Sequence, residues 1–73
     1  MNYNYSKLVG RIKEKCGTQA VFAAKMNLSE KSVSSKLNNE RPFKQPEIQR
    51  ALEILALSDE DIGEYFFCRE SSR

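Results

Sequence analysis

Asn27-Leu28-Ser29 leaves this chain little freedom in its local geometry. Asn is one of the few non-glycine residues that accepts the left-handed conformation in which helices stop. Ser is a preferred N-cap, because its hydroxyl accepts from the free N–H groups of the next helix's first turn. The three residues therefore read as a stop, a buried joint at Leu28 and a start. Upstream, Thr18 caps a helix that carries Val21, Phe22, Ala23 and Met26; downstream, Val33 and Leu37 form an i, i+4 pair on one face. Two helices joined by so short a turn pack at close range. Ala23 is then the sensitive position, since it faces the second helix and a larger side chain there would push the pair apart.

The flanking sequence supplies three more helices. Leu8, Val9, Ile12 and Cys16 recur at helical spacing after Ser6, a candidate N-cap, and Gly17 supplies the stop. Residues 38–45 form a loop by composition, with Phe43 as its anchor in the core. Pro46 suits the first turn of a fourth helix with Ile48, Ala51, Leu52 and Leu55 on its inner side. Ser58 followed by Asp59, Glu60 and Asp61 starts a fifth, since the hydroxyl can cap and acids favour the positive end of a helix dipole. That helix carries Ile62, Tyr65 and Phe66. No period-2 alternation appears, so the expected fold is all-α, a compact five-helix bundle with a central helix-turn-helix at residues 18–38. Residues 1–5 are expected as a flexible N-terminal arm, 6–67 as the single domain and 68–73 as a frayed tail. Phe22, Val33, Leu37, Leu52 and Leu55 are expected in the core.

At 73 residues and 40% apolar content the chain can build one core, near the size where a single core becomes marginal. Its net charge of +2 is unevenly spread. Residues 1–57 hold ten Lys/Arg against five Asp/Glu, a net of +5, while residues 58–73 hold two against five, a net of −3. The basic part suits an anionic partner and the acidic end does not. Cys16 and Cys68 stand far apart and there is no His, which argues against a zinc site or a disulfide framework and fits a reducing cytoplasm. No apolar run approaches the length of a membrane span, and the start MNYNYSK lacks a signal-peptide core. An enzyme is not expected: no nucleophile stands beside a base, no Gly-rich loop cradles phosphate, and there is little volume for a substrate pocket. Nothing calls for a cofactor or a metal.

If Phe22, Val33 and Leu37 face inward, then Ser29, Glu30, Lys31, Ser32, Ser35 and Lys36 lie on the outer, N-terminal side of the third helix. In DNA-binding helix-turn-helix proteins that side enters the major groove. A second candidate surface is Tyr65-Phe66-Phe67, because three adjacent aromatics cannot all face inward on one helix. A surplus ring would suit a dimer or partner interface. Tyr3 and Tyr5 are alternative cover for the same surface.

Thr18-Gln19, Phe22-Ala23, Leu28-Ser29, Val33-Ser34-Ser35 and Leu37-Asn38-Asn39 together resemble the helix-turn-helix of Cro/repressor-type phage regulators. The start YSKLVGRIKEK, the loop RPF and the ending DIGEYFF resemble short Cro-like proteins of temperate phages. The resemblance implies a lambda-repressor-like DNA-binding domain that regulates a lysis/lysogeny switch. It implies two partners, operator DNA and the N-terminal DNA-binding domain of the phage's own repressor, with no membrane and no small-molecule substrate. By position, Gln19 matches a phosphate-contacting Gln that braces the start of the recognition helix. Glu30, Lys31 and Ser35 match positions that read base edges, and Ser29 and Asn38 match positions that touch the backbone. The chemistry agrees: Lys donates to guanine acceptors, Glu accepts from cytosine N4, and Ser or Asn suits phosphate. Glu30 also places a negative charge where DNA phosphates would lie. A pure antirepressor, binding the repressor protein with little DNA affinity of its own, is therefore the alternative.

Overall fold

The stop, joint and start form as their chemistry requires. The structure, a computed structural model, describes residues 3–69. Helix α2 (Gln19–Met26) begins at Thr18, whose Oγ1 accepts from the Val21 N–H at 3.2 Å. It ends at Asn27 in the left-handed conformation (φ 62°). Helix α3 (Glu30–Leu37) begins at Ser29, whose hydroxyl accepts from the Ser32 N–H at 3.1 Å. Phe22, Ala23, Met26 and Val33 are buried, whereas Leu28 and Leu37 are only partly covered at the edge of the core. Val21, expected among the apolar positions of α2, is 41% exposed. Phe22, Ala23 and Met26 occupy the inward stripe, and Val21 precedes that stripe by about 100° of helical turn.

Around this pair the other helices close one core. Helix α1 (Ser6–Cys16) buries Leu8 and Ile12. Its cap is not Ser6, which lies inside the helix; the Asn4 side-chain carbonyl accepts from the Ser6 N–H at 2.9 Å. Gly17 adopts the positive φ of 86° that ends α1. Helix α4 (Gln45–Ile54) buries Ile48, Ala51 and Leu52, with Pro46 in its first turn as expected. It closes through Leu55 and Ala56, and the Leu57 N–H returns to the Leu52 carbonyl at 2.8 Å. The fifth helix is shorter than its start signal implies. A 3₁₀ turn at Asp59–Asp61 precedes α5 (Ile62–Phe66), and Gly63 gives that segment a poor helix former. The Ser58 N–H and hydroxyl both donate to the Asp61 carboxylate, at 3.0 and 3.1 Å.

All regular structure among the described residues is helical, and the fold is a small all-α bundle. Its extended pairing is a single antiparallel bridge between Tyr3 and Arg69, beside the Asn4 N–H that donates to the Cys68 carbonyl at 2.6 Å. The segments set apart as arm and tail are thus packed where they can be described. Tyr5 is buried, its ring edge-on to Phe43 at 5.5 Å, and Phe43 in turn meets Phe66 at 5.2 Å. Residues 1–2 of the expected arm and 70–73 of the expected tail lie outside the described residues. No helix among those described is long and apolar enough to cross a membrane.

Candidate functional site

The outer face of α3 is built by its own first turn. The Ser29 hydroxyl accepts from the Ser32 N–H and donates to the Ser32 hydroxyl at 3.0 Å, so the two serines lie side by side at the helix entrance. Glu30 and Lys31 project beyond them into solvent. Glu30 sits in the first turn, where the partial positive charge of the helix N-terminus favours a carboxylate. Ser35, one turn further on, is half-buried. Ser29, Lys31, Ser32 and Ser35 line a shallow, open depression of about 250 Å³. Gln19, the first residue of α2, is half-buried and outside this depression. Asn38 is exposed at the other end of α3, where its N–H donates to the Ser34 carbonyl at 2.9 Å and its amide leans on the Ser34 hydroxyl at 3.4 Å.

Lys36 does not share that surface. Placed on the outer face by the sequence reading, it is 5% exposed and turned toward α4. Its ammonium lies 3.0 Å from a Glu47 carboxylate oxygen and donates to the Pro42 carbonyl at 3.2 Å. The reason is positional: Lys36 follows Val33 by three residues and precedes Leu37, which puts it on the inward stripe of α3. Burial is tolerated because the charge is paired and hydrogen-bonded. Arg41 lies there instead. It is exposed, lies in the loop after α3 and forms the fifth wall of the depression. Nothing in the periodicity of α3 marks it; the signal lay in a loop that holds a cation two residues before Phe43.

The aromatic run also divides. Phe66 is 1% exposed and belongs to the core, Tyr65 is partly buried against it, and Phe67 is 49% exposed. The surplus ring expected at 65–67 is therefore Phe67, whose edge meets Tyr3 at 5.6 Å. A cavity of about 260 Å³ opens beside it, lined in part by Tyr3, Phe43, Phe66 and Phe67.

Five short helices on one core, offering a polar helix face and an adjoining cationic loop to solvent, place the chain among the small helical-bundle proteins. It belongs to the family described as "Protein of unknown function (DUF739)", which matches residues 1–69. A comparison with curated proteins returned no match. Among solved structures it is similar to the solution structure of the modulator of repression of the temperate bacteriophage TP901-1 from Lactococcus lactis. The two share 52% sequence identity with a TM-score of 0.80, over 92% of this chain and 90% of that one.

Proposed function

We propose that this chain is a regulator of the lysis/lysogeny switch of a temperate phage, working in the host cytoplasm as a binding module rather than an enzyme. Its outer α3 face serves as the recognition surface of a Cro-like helix-turn-helix. The targets are the N-terminal DNA-binding domain of the phage repressor and operator DNA. The observation that carries this reading is the depression formed by Ser29, Lys31, Ser32, Ser35 and Arg41 at the start of α3. Hydroxyls and cations at a helix entrance suit phosphate oxygens and base edges. The likeness to a phage modulator of repression supports the choice of switch and of partner. Electrophoretic shift of the phage's operator DNA at low salt, repeated with Lys31→Ala, tests the DNA arm. A folded protein that shifts no operator DNA at any salt removes it.

The burial of Lys36 favours the second reading, a pure antirepressor. It takes one cation off the face and leaves Lys31 and Arg41 against the exposed Glu30 and Glu40. A face of mixed sign complements the surface of another protein better than a uniformly anionic duplex. Co-elution with the repressor's N-terminal domain at micromolar concentration is the test; separate elution overturns the antirepressor reading.

A further inference from the structure

The loop that carries Arg41 is fastened on both sides, by the half-buried Asn39 and by the buried Lys36. On the near side, Asn39 adopts a left-handed conformation (φ 65°) and its amide clasps the Tyr3 backbone, accepting from the N–H at 2.9 Å and donating to the carbonyl at 3.0 Å. On the far side, the Lys36 ammonium holds the Pro42 carbonyl at 3.2 Å. Glu47 completes the fastening, since it receives the Lys36 ammonium at 3.0 Å and the Lys44 N–H at 2.9 Å. The side chains of Lys36 and Glu47 are only 6% and 17% exposed, so water competes little for their ion pair. Between the two fastenings, Arg41 lines the depression it shares with Ser29, Lys31, Ser32 and Ser35.

From this geometry we propose that Lys36 and Glu47 are positioning residues of the recognition face. Without touching the ligand, the buried pair holds the 42–44 loop so that the Arg41 guanidinium reaches a DNA phosphate beside the entrance of α3. The cation that α3 withdraws from its own face thereby places another one on the loop, through its bond to the carbonyl of Pro42, the residue next to Arg41. The inference rests on the DNA-binding reading given above. A buried ion pair is weak evidence of stability, because a well-packed apolar pair often replaces it without loss. It is better evidence of geometry, since each partner here fixes a named backbone group that an apolar side chain cannot hold.

The test separates stability from placement with the double variant Lys36→Met/Glu47→Leu, which keeps the net charge and the side-chain volume. Thermal unfolding close to that of the native chain is expected for this variant. Its amide spectrum without ligand should nevertheless shift at residues 41, 43 and 44. Binding to a labelled 20-base-pair duplex is then measured across a salt series. The expected result is a log–log salt slope smaller by about one, the loss of one phosphate contact. Arg41→Ala should lose the same increment, and adding it to the double variant should lose no more. Lys36→Arg with Glu47 intact, which keeps the charge and the donors, should keep the native slope. If the double variant is folded and keeps both the loop amide positions and the native salt slope, the proposal is overturned. If it unfolds, Glu47→Gln, isosteric with the native side chain, decides by the same amide positions and slope. If the native chain binds no duplex, the DNA reading fails and the placement of Arg41 on a phosphate falls with it, an outcome distinct from binding with an unchanged slope, which overturns the positioning role alone.

Discussion

The Arg11 guanidinium sits over the end of α4, its Nε donating to the Leu55 carbonyl at 2.9 Å and a terminal nitrogen donating to the Ala56 carbonyl at 3.2 Å. A residue of the first helix thus satisfies the free carbonyls that close the fourth. Charge assistance and the negative end of the helix dipole both strengthen the contact. Arg11→Met keeps the aliphatic stem and removes both donors. It should cost about 1–2 kcal/mol, read as a lower denaturation midpoint at unchanged slope.

Ala56 is strained where it stands. Its φ of 56° lies in the left-handed region, where a Cβ is unfavourable and glycine is the usual occupant of a helix end. Ala56→Gly is expected to stabilise the domain by about 0.5–1 kcal/mol, observed as a higher Tm. Because Arg11 holds the Ala56 carbonyl, the two changes should not add, and a double-mutant cycle checks the coupling.

Glu47 should give the fold an acid-sensitive hinge. Burial pushes its carboxyl up, but the Lys44 N–H and the Lys36 ammonium outweigh burial and hold it below the ordinary value of 4.5. A carboxyl whose folded pKa is depressed contributes stability that is present above its unfolded pKa and lost as pH falls through the folded one. Unfolding titrations below about pH 4.5 should therefore show a decline that Glu47→Gln flattens. An identical slope in that variant would remove Glu47 as the cause.

The two neighbouring rings of the aromatic run should behave oppositely. Phe66→Ala opens a hole in the core and should cost about 3–5 kcal/mol, a large share of the stability of a domain this small. Phe67→Ala should change the unfolding free energy by less than about 1 kcal/mol, because half of that side chain already faces water. Circular dichroism melts of the two variants settle both.

Much of the fold was legible because its punctuation is local. Thr18, Asn27 and Ser29 act through neighbours within three or four residues, so residue type and spacing suffice. The outer α3 serines follow from the same register. For Lys36 residue type and position conflict: its place on the Val33–Leu37 stripe points inward, but a lysine is rarely buried without a partner. That partner, Glu47, comes from another helix through the folded topology, which the spacing within α3 does not encode. Arg41 joins the site for the same reason, through a loop whose path is set by bonds to Tyr3, Lys36 and Glu47. Tyr5 reads as part of an arm because the Phe43 ring that packs edge-on against it is remote in sequence.

The meeting of Tyr5, Phe43 and Phe66 bears on the order in which the molecule assembles. Three segments distant along the chain converge on one ring of the 38–45 loop, and closing such wide spans is entropically late. The five residues of α5 are too few to persist as a helix alone. The final helix therefore owes its persistence to docking on α1, α4 and the Phe43 ring, and α5 should be among the last elements to gain hydrogen-exchange protection and the first to lose it.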